Sequence, residues 1–256
     1  MQQLIYESRS FNAFGDPGTP KIAGGHAANH GQFPWLARLE FGVRDPLTGA
    51  VNESLCGGVL IGAQVLMTAL HCLLYYDAAE KRWKAMSSHR HFVGFRVMIG
   101  TTNASDGNSV RVSNVRYMKQ NFNDYYVQHD IALLFLKTPL QCDENINFVS
   151  LPSEKLPKLE PNQLKHCYIA GWGVTETIAM LPPPTLQFIR VRLENSKNCL
   201  QNWIRQENAF YSNPTYPRLK QVFAMKSSST ALICSTAYQN ATSDDMNPKG
   251  QCAVRA

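Results

Sequence analysis

The 256-residue sequence lacks several features that mark other classes of protein. It has no apolar run long enough for a membrane-spanning helix, so a membrane-embedded protein is not expected. It has no C-x-x-C pair, which argues against a zinc ribbon. The N-terminus has no apolar core of a secretory signal peptide. Although the net charge is +6, the basic residues are mostly scattered along the chain, so a nucleic-acid partner is not expected either.

Low charge and many apolar residues indicate a folded protein. Charged residues make up only 17% of the chain and apolar residues 44%, which suits a packed core and not a disordered segment. The seven cysteines are spread along the chain, a pattern that favours disulfides and an oxidising compartment. Their odd number leaves at least one thiol without an internal partner.

Three glycosylation sequons agree with an extracellular location, at Asn52, Asn103 and Asn240. This conflicts with the missing signal peptide. Either the natural N-terminus lies upstream of Met1 or the chain is not exported; we favour the first and expect a secreted protein. His89 and His91 stand two residues apart, as strand metal ligands do, but no carboxylate or cysteine is near them in sequence. No metal site is therefore predicted.

Short apolar runs separated by turn residues predict an all-β protein of the sandwich or barrel type. Residues 1–21 are polar and end in glycines and prolines, which is typical of an extended leader. The only helix that the sequence suggests is a short one over residues 195–208. The predicted strand runs are Trp35 to Phe41, Gly58 to Met67, Phe92 to Ile99, Ile131 to Leu136 and Leu186 to Val191.

Two segments carry residue types suited to acid–base chemistry. The first, Thr68-Ala69-Leu70-His71-Cys72, places a histidine directly after an apolar run and follows a Cys56-Gly57-Gly58 segment. The second, His129-Asp130-Ile131-Ala132, places a carboxylate at the start of another apolar run. Taken alone, each has an ordinary structural interpretation: a structural histidine and a charge at a strand edge. Together, a histidine can serve as a general base and a carboxylate can hold its ring in one tautomer, provided the fold brings them together.

These segments resemble the chymotrypsin/trypsin family of serine proteases, whose motifs include C-G-G…A-A-H-C and D-I-A-L-L. Three more segments resemble that family in the same order along the chain. They are Lys21-Ile22-Ala23-Gly24-Gly25 with Gln32-Phe33-Pro34-Trp35, then Cys167-Tyr168-Ile169-Ala170-Gly171-Trp172-Gly173, and finally Leu232-Ile233-Cys234.

The resemblance implies a fold and an activity. It implies two six-stranded antiparallel Greek-key β-barrels, over residues 22–140 and 141–256, with the second barrel incomplete. It implies a zymogen with residues 1–21 as leader, activated by cleavage between Lys21 and Ile22. The implied activity is peptide-bond hydrolysis, without metal or cofactor, on a peptide or protein substrate, or with an inhibitor, held in the cleft between the barrels.

Individual residues also take family roles through this resemblance. His71 would be the general base and Asp130 the residue that orients it. The implied disulfides are Cys56–Cys72 and Cys199–Cys234. Cys167 and Cys252 are expected to lack their family partners, and Cys142 matches no family cysteine, so these three thiols would be open to intermolecular bridging.

The sequence departs from the family pattern after Cys252. Where the family has x-G-D-S-G-G-P, this chain has Ala253-Val254-Arg255-Ala256, so Ala256 stands at the place of the nucleophilic serine. The polypeptide as printed is therefore expected to be inactive. Gly250 lies at the expected floor of the specificity pocket and carries no charge, which predicts an apolar preference in any active form. The alternative interpretation is a non-catalytic protease homologue that acts by binding a partner.

Overall fold

The computed structural model describes residues 25–118, 130–151, 167–173, 183–194 and 234–237. These residues are almost entirely β-structure and include no α-helix. They form twelve strands and two short 3-10 helices, at Leu70–Leu73 and Met86–Ser88. The strands are β1 His26–Ala27, β2 Leu36–Arg44, β3 Val51–Gly62, β4 Val65–Thr68, β5 Leu74–Asp77, β6 Arg82–Ala85, β7 Phe92–Ile99, β8 Asn108–Tyr117, β9 Ala132–Leu136, β10 Cys167–Gly171, β11 Gln187–Glu194 and β12 Cys234–Ala237.

Six of these strands close into an antiparallel barrel, in the order β2-β3-β4-β9-β8-β7. The final pairing, between β2 and β7, closes the ring and leaves no open sheet edge around it. The prediction of an all-β fold with a six-stranded antiparallel barrel is thereby confirmed. The described residues do not confirm a second six-stranded barrel.

Alternation of side chains explains why these segments form barrel strands. In β9, Ala132, Leu134 and Leu136 are buried while the two residues between them are only partly covered. Successive side chains of a strand point to opposite faces, so every second residue faces the barrel interior. Strand β7 follows the same rule, and the inward residues Val97 of β7 and Leu39 of β2 have no exposed surface. The fully or nearly fully buried side chains of the barrel are Leu39, Leu60, Leu66, Leu70, Val97, Ile99, Leu134 and Leu136.

Two differences between the structure and the predicted runs concern the strands of the barrel. The run from Gly58 to Met67 is two strands, because a turn at residues 63–64 separates β3 from β4. Strand β8, Asn108–Tyr117, was not anticipated, since its sequence is mostly polar and exposed. It gains its place from pairing with β7 and β9, which hydropathy alone does not show.

The chain divides into two compact units. The first unit comprises residues 1–151, 170–188 and 256, and it contains the closed barrel. The second unit comprises residues 152–169 and 189–255. In the second unit, β12 pairs antiparallel with residues 191–194 of β11. In the first, β1 pairs with the first two residues of β11. The predicted helix over residues 195–208 lies outside the described residues.

The bonding state of four of the seven cysteines bears on the predictions. Cys56 and Cys72 form a disulfide, as the family resemblance implied. Cys167 is also disulfide-bonded, to a partner whose side chain is not described. This corrects the expectation that Cys167 is a thiol open to intermolecular bridging. Cys142 is a free, exposed thiol.

Candidate functional site

The histidine singled out in the sequence lies in the 3-10 helix that follows β4. In the segment Leu70-His71-Cys72-Leu73, the three apolar residues are buried and only the histidine is exposed. Because Leu70 and its two apolar partners turn toward the barrel core, the remaining side chain must face outward. The His71 side chain retains 42% of its exposed surface, so its ring is open to a reactant.

Strand pairing brings the carboxylate to this histidine. Strands β4 and β9 run antiparallel, with Thr68 opposite Ala132. The end of β4 therefore meets the beginning of β9. His71 follows Thr68 by three residues and Asp130 precedes Ala132 by two, so both leave the sheet at the same end.

Two hydrogen bonds join His71 to Asp130. The His71 backbone N–H donates to Asp130 Oδ1 over 2.8 Å. The His71 ring nitrogen Nδ1 lies 2.7 Å from Asp130 Oδ2, a normal hydrogen-bond distance for an imidazole N–H on a carboxylate. With the Nδ1 proton directed at the carboxylate, Nε2 carries the free lone pair of the neutral ring. This is the tautomer that a general base requires.

The surroundings of Asp130 keep its carboxylate ionised. Burial by itself would raise the pKa of this group, and it is the largest single influence. Against it act the hydrogen bond from the His71 ring, the charge of that ring, and the backbone N–H groups of His71 and Leu70. Together these hold the pKa of Asp130 below its ordinary value, because each of them favours the charged form.

Two further contacts hold the histidine turn against the barrel. The Cys56–Cys72 disulfide links β3 to the residue next to His71. The Thr68 hydroxyl, with 1% of the residue exposed, donates to the Gly57 carbonyl over 2.7 Å. A buried hydroxyl that keeps its partner avoids a desolvation penalty, so this bond fixes β4 to β3 just before the turn. The sequence analysis did not single out Thr68 for this role. The signal was a threonine at an inward-facing position of an apolar strand.

Of the other predicted site residues, the structure describes the side chains of only two, the sequon residues Asn52 and Asn103. Asn52 is exposed on β3. Asn103 is half-buried, and its Nδ2 donates to Asp106 Oδ2 over 2.9 Å. The remaining positions lie outside the described residues or have side chains that are not described: Lys21, Ile22, Cys199, Cys234, Asn240, Gly250, Cys252 and Ala256.

A single group of candidate metal ligands occurs among the described residues. Cys56, His71 and Cys72 each offer one ligand atom, and these atoms lie within 4.8 Å of one another. In the disulfide the two sulfurs are not thiolates, so the group does not form a metal site in this oxidation state. His89 and His91, considered in the sequence, do not belong to it.

Comparison with known proteins finds one matching family model and several relatives of similar sequence. Residues 22–218 match the Trypsin family model. Glandular kallikrein-10 of Rattus norvegicus is 26% identical over 185 residues, which cover 72% of this chain and 64% of that protein. Serine protease 28 of Mus musculus is 25% identical over 182 residues, covering 70% of this chain and 59% of that protein. The chain thus spans less than two thirds of the length of these two relatives.

Solved structures show the same fold. A structure described as GrC superimposes with a TM-score of 0.53 at 22% identity, over 71% of this chain and 70% of that one. The structure of HL collagenase gives a TM-score of 0.51 at 23% identity, over 70% of this chain and 66% of that one. At these identities the similarity supports the fold and carries no statement about substrate. Among the described residues, no helix is long and apolar enough to cross a membrane.

Proposed function

Because the chain belongs to the trypsin family of serine proteases, we propose that His71 is its general base and Asp130 the carboxylate that orients it, for cleavage of peptide bonds. The observation that carries this proposal is the pair of hydrogen bonds from the His71 ring and backbone to the two oxygens of one carboxylate. An ordinary surface ion pair needs only one contact. A double attachment fixes both the position and the tilt of the ring.

The chemistry follows from the tautomer. Nε2 accepts the proton of a serine hydroxyl as that oxygen attacks the scissile carbonyl, and later returns the proton to the leaving amine. During these steps the ring is a cation. The ionised Asp130 stabilises that cation, which is why its lowered pKa suits the role. The activity needs no metal or cofactor.

The nucleophile is the component that residues 1–256 do not supply in family form. No G-D-S-G segment occurs in the sequence, and Ala256 stands where the family serine would. We expect the 256-residue polypeptide to form no acyl-enzyme, because a general base without a positioned nucleophile leaves only water to attack.

A fluorophosphonate probe tests this expectation. The probe labels activated serines, and we expect no labelling of the 256-residue polypeptide after cleavage at Lys21, under conditions that label an active trypsin-family enzyme. Covalent labelling of any serine in the chain would show that the nucleophile lies within these residues after all.

Proton NMR tests the His71–Asp130 pair independently of any nucleophile. We expect a strongly downfield Nδ1 proton resonance that disappears in both Asp130→Asn and His71→Gln. The variant His30→Gln, at an exposed histidine elsewhere in the barrel unit, serves as the control and should leave the resonance unchanged. A spectrum without such a resonance in the unmodified chain would contradict the proposed roles.

Activation, specificity and location complete the proposal. Cleavage between Lys21 and Ile22 releases the leader, and the uncharged Gly250 gives an active form an apolar preference.

Secretion is supported by the Cys56–Cys72 disulfide, which persists in oxidising compartments. Of the two sequons within the described residues, Asn52 is the exposed one, and on export we expect it to carry glycan. Expression in secretory cells followed by endoglycosidase treatment measures this as a mobility shift that Asn52→Gln removes.

The second candidate function is a non-catalytic homologue that binds a protein partner. Arg255 and Ala256 stand where the family has its Asp and its nucleophilic Ser, and this replacement favours it. A form of the chain that carries such a segment and hydrolyses peptides would decide for the endopeptidase. In that form, His71→Ala should lower the rate by about 10⁴-fold or more.

A further inference from the structure

We propose that reduction of the Cys56–Cys72 disulfide converts this part of the barrel into a Zn²⁺ site formed by the two thiolates and the His71 imidazole. The ligand atoms of these three residues already lie within 4.8 Å of one another. In tetrahedral zinc sites, Zn–S bonds of about 2.3 Å and Zn–N bonds of about 2.0 Å place ligand atoms roughly 3.3 to 3.8 Å apart. Breaking the S–S bond frees the two sulfurs to move apart to that spacing, and the histidine ligand atom already lies within 4.8 Å of both sulfurs.

The backbone around the disulfide keeps the two cysteines together after the S–S bond is broken. Cys56 lies on β3, two residues before Gly58, which pairs with Thr68 of β4. The Thr68 hydroxyl bonds to the Gly57 carbonyl in the same stretch. None of these contacts depends on the S–S bond. The thiols therefore stay close in the folded chain. Little conformational entropy is lost when a metal ion binds them.

Asp130 prepares the histidine for the same role. It holds Nδ1 at 2.7 Å, so the free lone pair of the ring is at Nε2. Histidines that bind metals commonly donate their other ring N–H to a carboxylate, which fixes the ring and makes the ligand nitrogen more basic. Two thiolates with one imidazole form a soft donor set suited to zinc. The fourth position is open to water, since the His71 side chain is 42% exposed.

The chemical steps balance. A dithiol reductant supplies two electrons and two protons: the S–S bond breaks, two S–H bonds form, and the dithiol becomes a disulfide. Zn²⁺ then binds as the two protons leave the sulfurs, so binding releases protons and weakens in acid. Cys56 is half-buried and Cys72 is 5% exposed, so the reductant attacks through the Cys56 sulfur.

One consequence, unlike the site itself, rests on the proposed function. Metal on Nε2 occupies the lone pair that a general base needs. A reducing, zinc-containing environment would then silence the His71–Asp130 pair, and oxidation would restore it. The metal-binding test below does not require any proteolytic activity, so its failure and the failure of the proposed function are distinguishable.

The test is a titration of the whole 256-residue chain with Co²⁺ and then Zn²⁺, before and after reduction with a phosphine that is afterwards removed. To limit signals from the free thiol, all variants carry Cys142→Ser. After reduction, we expect a thiolate-to-cobalt charge-transfer band that Zn²⁺ bleaches at one equivalent. The oxidised chain should show no such band.

Matched variants identify the ligands. Replacing Cys56 and Cys72 together by serine should remove the band. Loss of an outer hydrogen-bond partner of a metal ligand costs roughly 10- to 100-fold in metal affinity. Because His71 is itself a ligand, His71→Gln should weaken Zn²⁺ binding by more than this. Asp130→Asn should fall within that 10- to 100-fold range. His30→Gln should have no effect. Circular dichroism confirms that each variant retains its β-structure, and binding to Asp130→Asn provides a second measurement if His71→Gln misfolds.

Two results would overturn the proposal. One is a cobalt band that survives in the chain without Cys56 and Cys72, which would assign the metal to the other cysteines. The other is Zn²⁺ affinity unchanged by both His71→Gln and Asp130→Asn, which would remove the histidine from the site.

Discussion

At the scale of single residues, Asp130 shows how burial and hydrogen bonding compete over one carboxyl group. Burial raises its pKa, while the His71 ring and two backbone N–H groups lower it and prevail. The side chain keeps only 30% of its exposed surface, so water screens these contacts incompletely. The same contacts that orient the ring therefore also link folding stability to pH.

The sign of this linkage gives a prediction for Asp130→Asn. A folded-state pKa below the unfolded value of 3.8 means that the unfolded chain binds the proton first, so this contribution to stability is complete above about pH 4 and is lost as pH falls through the lowered pKa. Urea unfolding should show the variant less stable than the unmodified chain at about pH 5, and the difference should shrink by about pH 2. A difference that stays constant over this range would contradict the assignment.

The Thr68 hydroxyl supports a second residue-scale prediction. Thr68→Val keeps the shape of the side chain but removes the donor to the Gly57 carbonyl, which should cost about 0.5 to 1.5 kcal/mol of unfolding free energy. Thr68→Ser keeps the hydroxyl and is the control for loss of the methyl group. Denaturant unfolding measures both. A serine variant no more stable than the valine variant would show that packing, and not the hydrogen bond, is what matters here.

At the scale of elements, the barrel strands depend on which face each residue occupies. The two neighbouring leucines of β9 show this most directly. Leu134 has no exposed surface and packs in the barrel core, whereas Leu133 points to the other face and is only partly buried. Chemically identical side chains one residue apart thus have different energetic roles.

Paired alanine substitutions test this alternation. Leu134→Ala should lower the unfolding free energy by about 2 to 5 kcal/mol, because it removes core contacts and leaves a cavity. Leu133→Ala should cost clearly less. Thermal or denaturant unfolding of the two variants measures the contrast, and equal losses would mean that the face assignment of β9 is wrong.

The turn between β7 and β8 gives a second element-scale prediction. Gly107 has φ +115°, and a Cβ atom there would lie 2.5 Å from Thr101 Cγ2 and 2.9 Å from the Ile99 carbonyl oxygen. Gly49 also has positive φ, +73°, but a Cβ there meets nothing within 4 Å.

We expect Gly49→Ala to cost about 1 to 2 kcal/mol from its backbone conformation alone. Gly107→Ala should cost more, because steric overlap is added to backbone strain. Unfolding midpoints of the two variants compare them. A Gly107 variant as stable as the Gly49 variant would show that the turn can move to admit a side chain.

At the scale of the whole molecule, barrel closure makes distant parts of the chain depend on one another. Strand β4 pairs with β9 across more than sixty residues, and β2 pairs with β7 across 49 to 60 residues. None of these pairings forms a local unit by itself, since each needs the others to bury its inward face. The β5–β6 hairpin is different, because it pairs only with itself.

Native-state hydrogen exchange should reflect this difference. Amides in the paired cores of β2, β4 and β9 should exchange through one shared opening with the global unfolding free energy. Amides of the β5–β6 hairpin should exchange faster, through local opening. Equal protection in the hairpin and in β4 would show that the hairpin belongs to the same cooperative unit as the barrel.

The sequence by itself determined the features that depend on short-range patterns or on family motifs. Short apolar runs between turn residues predicted β2, β7 and β9, because both signals are local to each strand. The motif around Cys56 and His71 predicted both the fold family and the disulfide. Local hydropathy was insufficient for β8, whose polar residues are held by strand pairing, and for the Gly58–Met67 run, which contains a turn between two apolar stretches.

Only the tertiary structure decided how distant residues meet. The motifs named His71 and Asp130 as a pair, but the two bonds between them exist because the register of β4 and β9 brings both residues to the same end of the barrel. The role of Thr68 and the proximity of His71 to two sulfurs likewise depend on the β3–β4 register. Strand register is set by barrel closure and by packing of the whole core, so no window of the sequence contains it.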